Sequence, residues 1–346
     1  MSTSTRTRRT LGAAALAALA LTLTTMPGAS ALGPAQQPAQ QPAPRAHSAS
    51  TINTASRGAV TAAWRAQWVP ASHAGVLLSG GSARACTPFT NSASTQEHTR
   101  AAINFARGLA GLDPLTSVTD ARLSGAAKSA LIQAANDTLD HSPTRGMRCY
   151  TGAGAHAAWR SNLALFSYSA PWRPATTRFV ANFLSDGGAV NKQVFHRRWM
   201  LRPQTTTMAN AYAKAKVGPW YNYANDLYVF PSGTDNAHAT KPKFIAWPSA
   251  GYFPTQLEPK GRWSLSSARA GISLKHARIK VTHHGKRVRI TKRAFKRAYN
   301  GDRTIVWQLA HRPKSVKGSG VSVYKVTVTH ISGAAKHTYK VRLFRP

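Results

Sequence analysis

Acidic residues are scarce in this 346-residue chain. Aspartate and glutamate together number 10, against 46 lysines and arginines, so the formal net charge is +36. Glu97 and Glu258 are the only glutamates. Because the acids cannot neutralise the cations internally, the chain should attract polyanions, and salt should weaken that attraction. Charge of this kind indicates partners and solubility, and it does not define a fold.

Cysteine is also scarce, with only Cys86 and Cys149 present. No CxxC motif or cysteine–histidine cluster indicates a structural zinc site. In an oxidising compartment the expected state is one Cys86–Cys149 disulfide, and two reactive thiols are the alternative. The bond would tie the segment before the first long helix to the loop after His141.

Long apolar runs are absent beyond the N-terminus. The run Leu11–Leu23 follows three arginines and precedes Ala29-Ser30-Ala31, which predicts a cleaved export signal over residues 1–31. The run is too short for a permanent membrane anchor. Arg8 and Arg9 leave both the general secretory and the twin-arginine routes open. We therefore expect a secreted protein with no transmembrane segment, able to associate with the cell wall.

Residues 32–60 are rich in proline, glutamine, alanine and serine. Such a segment buries too little apolar surface to offset the entropy of ordering, so it is interpreted as a flexible linker. The first ordered domain, with an N-terminal extension, is expected over residues 61–255.

Helical spacing of apolar residues predicts four helices in this domain. The first should begin at Ser94, because Ser94 and Glu97 have the spacing of a capping box. The second should end beside His141. The other predicted bounds are about 120–140 for the second helix, 153–165 for the third and 178–185 for the fourth. Strand-like runs follow at 199–201, 205–212 and 221–230.

Composition changes after about Gln256, where short alternating runs replace helical spacing. Examples are Ile272–Leu274, Ile279–Val281 and Val288–Ile290. The His284-Gly285 pair indicates a hairpin turn. Residues 256–346 are therefore predicted to form an immunoglobulin-like β-sandwich.

This C-terminal region carries 22 lysines and arginines from Glu258 to Arg345, against two acids, Glu258 and Asp302. Ten of the cations lie between Lys275 and Arg297. Protection of strand edges explains part of such a pattern. Retention on an anionic cell-wall polymer or lipid surface explains the excess. Nucleic acid is not expected, because aromatic residues are sparse and no recognised binding motif occurs.

Four segments occur in a fixed order in the first domain, and together they resemble the CAP superfamily. This superfamily comprises cysteine-rich secretory, antigen 5 and pathogenesis-related-one proteins, and the likeness is to its secreted bacterial members. The resemblance implies a three-layer α-β-α sandwich, and hence an α+β fold overall. The segments are INFARGLAGLDPL (103–115), AANDTLDHSP (134–143), HAAWRSNLAL (156–165) and NKQVFHRRWMLRP (191–203).

The resemblance also places a cleft. The family cleft usually has two histidines and two glutamates, and His141 and His196 match the histidines. Ser161 stands where the family has its first glutamate, with the following Asn162 retained, and Asp186 falls near the second. The four-residue set is therefore incomplete.

Several chemistries remain open for these residues. His141 and His196, with Asp186, could hold zinc or another divalent cation, although we expect no cofactor to be required. The histidines could instead be hydrogen-bonded parts of the fold. Ser161, a histidine and Asp186 could form a hydrolytic trio, but neither a Gly-x-Ser-x-Gly elbow nor a His-Glu-x-x-His motif occurs.

The expected function is therefore non-enzymatic. The cleft would bind a small or lipidic ligand, since some members of the family hold sterols or fatty acids beside it. The cationic β-domain would hold the protein at the cell envelope. The alternative is a secreted hydrolase that uses His141, Ser161, Asp186 and His196 in the cleft.

Overall fold

Seven α-helices and fourteen strands are present in the computed structural model, which describes residues 51–118, 120–230, 239, 242–297 and 303–346. The predicted export signal and residues 32–50 of the predicted linker lie outside these residues. Residues 51–60 are described, and Ser56 caps a helix there. All the described residues belong to one compact unit.

The helices precede most of the strands. They are α1 (Arg57–Ala63), α2 (Val69–His73), α3 (Ala93–Leu109), α4 (Ala121–Ala135), α5 (Gly152–Trp159), α6 (Thr176–Ser185) and α7 (Phe195–Met200). A π-helical turn, Trp64–Trp68, joins α1 to α2, and a 3₁₀ turn covers Thr255–Leu257. None of the helices in the described residues is both long and apolar enough to cross a bilayer.

The strands form four sheets. They are β1 (Leu78–Ser79), β2 (Thr90–Asn91), β3 (Ser161–Tyr168), β4 (Ala209–Val217), β5 (Trp220–Tyr228), β6 (Ile245–Trp247), β7 (Gly251–Pro254), β8 (Arg262–Ser267), β9 (Arg278–His283), β10 (Lys286–Val288), β11 (Ile290–Arg297), β12 (Arg303–Leu309), β13 (Val321–Thr329) and β14 (His337–Phe344). Their orders are β1-β2, β3-β5-β4, β10-β9-β13-β14-β7 and β11-β12-β8-β6.

The antiparallel sheet β3-β5-β4 has helices on both faces. Successive side chains of a strand point to opposite faces, and β4 shows this alternation clearly. Ala211 and Ala213 lie in buried clusters with residues of α4, while Tyr212 lies in the cluster that contains α3 and α6. The small alanines let α4 approach the strand closely. On the other face, the Phe179 ring of α6 lies 5.0 Å from the Tyr212 ring.

The two larger C-terminal sheets share one buried core. Val281, Val326 and Val341 of the five-stranded sheet lie in the same cluster as Trp263 and Trp307 of the four-stranded sheet. The Trp263 and Tyr324 rings, one from each sheet, lie 5.4 Å apart. Strand β6 pairs with β8 and strand β7 pairs with β14, so two strands that precede residue 256 belong to these sheets. The chain has an α+β fold.

Three predicted helices are present with changed bounds. The first begins at Ala93, one residue earlier than predicted, because Ser92 rather than Ser94 accepts the helix-capping hydrogen bond, from the Thr95 N–H at 3.1 Å. The second ends at Ala135, so His141 lies in the following loop and not at a helix end. The fourth covers Thr176–Ser185.

Two predictions of element type were wrong. The third helix stops at Trp159, and the next residues form β3, because their backbone pairs with β5 along its whole length. The run Trp199–Leu201, predicted as a strand, belongs to α7 and its C-cap. Beyond residue 256, Ile272–Leu274 forms only an isolated bridge from Ser273, and Val288–Ile290 is divided between β10 and β11 in different sheets.

The predicted hairpin turn is confirmed. His283 pairs with Lys286, so the loop contains only His284 and Gly285. Their φ angles are +49° and +75°, which is the left-handed backbone that a two-residue hairpin of this type requires.

The predicted disulfide is also confirmed, with Cys86 and Cys149 joined across a sequence separation of 63 residues. Their Cα atoms lie 4.9 Å apart. The bond ties the short β1–β2 region to Cys149, two residues before Thr151, the N-cap of α5.

Removal of this disulfide should destabilise the fold. In the chain-entropy model, a closed loop of this length contributes about 4 kcal/mol. We expect Cys86→Ser/Cys149→Ser to lower the free energy of unfolding in urea by about that amount. The wild type in reductant should match the variant, and the variant should not respond to reductant. Equal urea midpoints for oxidised wild type and variant would contradict the prediction.

Candidate functional site

The centre of the candidate cleft is a His196–Asp186 pair. Asp186 caps α6 with left-handed backbone, and His196 lies in the first turn of α7. One carboxylate oxygen of Asp186 accepts from His196 Nδ1 at 2.9 Å, and the other accepts from the Arg197 N–H at 3.2 Å. The Asp186 side chain is fully buried, while that of His196 is 18% exposed.

In both cleft histidines, Nδ1 is engaged in a hydrogen bond within the protein. His141 Nδ1 lies 2.8 Å from the carbonyl oxygen of Ala158, at the end of α5. A carbonyl oxygen can only accept, so Nδ1 of His141 carries the proton. When the imidazole of His196 is neutral, the Asp186 carboxylate likewise places the proton on Nδ1 of His196. In each neutral ring Nε2 therefore holds the lone pair, as in a metal-ligating or basic histidine.

Ser161 and Asn162 point to opposite faces of the central sheet. Ser161 Oγ donates to the carbonyl of Ala157 at 2.8 Å, on the face covered by α4 and α5. Asn162 Nδ2 donates to the carbonyl of His196 at 3.0 Å, which joins β3 to α7. The structure thus brings together Asn162, His196 and Asp186. No hydrogen bond or ion pair among the described residues links Ser161 or His141 to this group.

The pair is supported by Arg197, which the sequence analysis did not single out. Its guanidinium is fully buried and donates to the carbonyls of Leu184, Ser185 and Arg262 and to Ser264 Oγ. Burial lowers the pKa of Arg197 to about 10, and Asp186 opposes that shift. Arg197 therefore stays charged near neutral pH and joins the cleft to β8.

Arg262 makes the matching connection from β8. Its guanidinium donates to the carbonyls of Asp186, Gly188 and Asn191 at 2.7, 2.9 and 3.3 Å. The loop between α6 and α7 is thus fixed by a residue from beyond position 256. The sequence separation is over 70 residues, so no local pattern could have revealed the contact.

A further carboxyl was missed in the central sheet. Asp226, on β5, lies opposite Leu163 and Ala211 and is fully buried. Burial raises the pKa of Asp226 to about 7, and the neighbouring Ser129 and Ser161 hydroxyls lower it by less. The available signal was the alternation of strand β5, which places Asp226 on the same face as the buried Ala224 and Tyr228.

Of the candidate metal ligands His141, His196 and Asp186, only the two histidines have a free donor atom. Both oxygens of Asp186 are engaged by His196 and Arg197, so this carboxylate orients the imidazole and is not free to act as a ligand. Across residues 51–118, 120–230, 239, 242–297 and 303–346, no group of three or more His, Cys, Asp or Glu side chains is arranged to hold a metal ion.

A separate pocket of about 350 Å³ opens between α3 and the start of β4. The Glu97–Arg100 ion pair belongs to its lining, and none of the five predicted cleft residues does. Its apolar lining consists of Ala93, Ile103, Leu115, Val118, Leu123 and Met208.

Residues 100–224 match the family model described as CAP, the cysteine-rich secretory protein family. The chain therefore contains a CAP superfamily domain, which confirms the resemblance shown by the four segments. No curated protein matches the chain.

Asp226 should make stability depend on pH. The folded state keeps the Asp226 proton to about pH 7, whereas an unfolded aspartate loses it near pH 4. The free energy of unfolding should therefore fall as pH rises between these values, by about 4 kcal/mol from this group. We expect Asp226→Asn to remove that fall in urea titrations from pH 4 to 8.

The matched control is Asp137→Asn, because Asp137 is exposed and stands in left-handed backbone that asparagine also adopts. It should keep the wild-type pH slope. A wild-type slope in Asp226→Asn as well would show that Asp226 is ionised in the folded protein.

Proposed function

We propose that this is an exported, non-enzymatic CAP-domain protein that binds a small or lipidic ligand in its cleft. Its cationic C-terminal region holds it at the cell envelope. The observation that supports a binding role is the engagement of the polar cleft residues in bonds that join elements of the fold. Ser161 donates to α5, His141 to the end of α5, and Asn162 to α7.

The finer fold assignment belongs to the same proposal. Helices on both faces of β3-β5-β4 support a three-layer α-β-α sandwich. Two sheets with a common core support an immunoglobulin-like sandwich in the C-terminal region. Export rests on the signal pattern in residues 1–31, and the Cys86–Cys149 disulfide is consistent with an oxidising compartment.

A lipidic ligand is supported by exposed aromatic rings next to the cleft residues. Trp159 is 47% exposed and Phe195 is 40% exposed. Each is covered by an arginine: the Arg160 guanidinium lies 4.9 Å from the Trp159 ring, and that of Arg198 lies 5.2 Å from the Phe195 ring. Apolar rings beside guanidinium groups suit an aliphatic chain with an anionic headgroup.

A divalent cation such as zinc is an optional occupant in this proposal. The Nε2 atoms of His141 and His196 would bind it, and the bonds at Nδ1 would orient the rings. Two imidazoles give a weaker site than the three or four protein ligands of usual zinc sites. No step of the proposed function requires the cation.

The hydrolase alternative keeps one specific observation in its favour. A histidine hydrogen-bonded to a buried aspartate is the base-and-orienter part of a catalytic triad. The serine part is less favourable, because the Ser161 hydroxyl proton is donated to the Ala157 carbonyl on the other face of the sheet.

Ligand binding can be measured with a dansyl-labelled long-chain fatty acid. We expect saturable binding to the mature protein and an approximately tenfold weaker affinity for Trp159→Ala, since aromatic contacts contribute about 1 kcal/mol or more. Trp172→Ala is the control, because Trp172 is similarly exposed and also lies under an arginine, Arg178, but packs on Tyr168 at the opposite end of β3 from Ser161. Failure of the wild type to bind the fatty acid would contradict the proposal of a lipidic ligand. Equal losses of affinity in the two variants would show that the ligand binds away from Trp159.

The hydrolase alternative predicts covalent labelling of Ser161 by a fluorophosphonate probe. We expect no labelling, because the hydroxyl donates to the Ala157 carbonyl and neither cleft histidine is hydrogen-bonded to it. Intact-protein mass spectrometry of the wild type, with Ser161→Ala as the control, checks this. A phosphonate adduct on the wild type that Ser161→Ala lacks would favour the enzyme over the binding protein.

A further inference from the structure

The solvent face of the five-stranded sheet β10-β9-β13-β14-β7 carries a transverse row of cations. In the strand register, Thr282 lies between Arg287 and Lys325, and Lys325 lies opposite Lys340. Directly paired residues have side chains on the same face of a sheet. Arg287, Lys325 and Lys340 therefore point the same way, and Lys280, two residues from Thr282, points with them.

Burial shows that this face is the outer one. Tyr324, Val326 and Val341, the neighbours of Lys325 and Lys340 along their strands, are buried in the core. Lys280, Arg287, Lys325 and Lys340 are all exposed. We call these four residues the cation row.

No carboxylate of the described chain pairs with the cation row. Of the two acids from position 258 onward, Glu258 is buried and accepts from Trp263 Nε1 and the Gly261 N–H. Asp302 lies outside the described residues. Like charges placed directly opposite each other on a sheet are destabilising, so the Lys325–Lys340 pair imposes a cost that no internal contact of the described residues offsets.

Protection of sheet edges does not account for this placement. Lysines that prevent edge-to-edge aggregation belong on edge strands, and β10 is such a strand. However, Lys325 and Lys340 lie on β13 and β14, which are both interior. Their position is explained by a partner that covers the face of the sheet and supplies negative charge.

The geometry favours a linear partner. Adjacent strands are about 4.8 Å apart, so the row offers cations at roughly 5 and 10 Å intervals across the strands. Threonines occupy the positions around it, namely Thr282, Thr327 and Thr338. Their hydroxyls can donate to anionic oxygens. The exposed large apolar side chain on this face is Val321, four residues from Lys325 along β13 and 37% exposed, and a single valine offers little surface for insertion into a bilayer.

We infer that the cation row is the binding surface for a linear phosphodiester polymer of the cell envelope, which lies across β10, β9, β13 and β14. This inference rests on the proposed retention at the envelope and names the surface and the partner chemistry. Phosphate oxygens of successive repeats bind Arg287, Lys325 and Lys340, and threonine hydroxyls donate to them. Nucleic acid is less well matched, because the aromatic rings on this face are not open to stacking: Phe344 is buried, and the Arg342 guanidinium lies 5.7 Å from the Tyr252 ring.

The test compares two variants of the full mature chain that each remove three positive charges. The first is Arg287→Gln/Lys325→Gln/Lys340→Gln. The control is Arg84→Gln/Arg145→Gln/Lys214→Gln, whose sites are equally exposed and lie far from the C-terminal sheets in sequence. Affinity for poly(glycerol phosphate) is measured across a salt series, with neutral dextran, anionic phosphatidylglycerol vesicles and single-stranded DNA in parallel.

We expect the first variant to raise the Kd for poly(glycerol phosphate) at least tenfold and to lower the log–log salt slope by about 2. The control should change Kd less than threefold. Unchanged near-ultraviolet circular dichroism would show that both variants are folded. These exposed side chains make no hydrogen bonds to the core, so both should fold.

Each opposing outcome has a distinct meaning. Equal losses in the two variants would overturn the assignment to the cation row and leave retention itself standing. Absence of binding by the wild type at low salt would overturn retention as well. Tighter binding to vesicles or to DNA than to poly(glycerol phosphate), lost in the first variant, would overturn the partner and keep the surface.

Discussion

The buried guanidinium of Arg197 is the interaction on which the candidate cleft depends. Burial of a charged group costs several kcal/mol unless its donors are satisfied, and here they reach the end of α6 and strand β8. The Arg197 backbone N–H also fixes Asp186, which in turn orients His196. The tautomer of the cleft histidine is therefore set by contacts that begin in the C-terminal sheets, through Ser264 and Arg262.

Several of the few acidic residues are buried in the fold. At least three of the ten, Asp186, Asp226 and Glu258, are buried. Asp186 and Glu258 anchor neighbouring elements inside the protein, and Asp226 is largely protonated in the folded state below about pH 7. These residues cannot balance lysines and arginines on the surface. The exposed positive field is thus a consequence of where the few carboxylates lie as well as of their number.

Elements that depend on interactions between residues close in sequence could be predicted from the sequence. The first long helix, the two-residue hairpin at His284-Gly285 and the family resemblance follow from short motifs, whereas the disulfide follows from the presence of only two cysteines in a chain expected to be exported. The switch from α5 to β3 was missed, because it takes place within one residue, Arg160, and no glycine or proline marks it. The run Trp199–Leu201, at the end of the short helix α7, was predicted as a strand because its three residues are all large and apolar. The supports of the cleft from Arg262 and the burial of Asp226 depend on pairings between distant segments, so only the three-dimensional structure shows them.

The hydrogen bonds from Arg262 to the loop between α6 and α7 make the region matched by the family model dependent on the C-terminal sheets. A fragment ending where the family match ends would lack the side chain that closes three carbonyls of that loop, and Arg197 would lose two of its acceptors. Residues 100–224 therefore cannot be fused to an unrelated C-terminal domain without loss of these contacts. A replacement domain would have to supply a strand with an arginine at the position of Arg262.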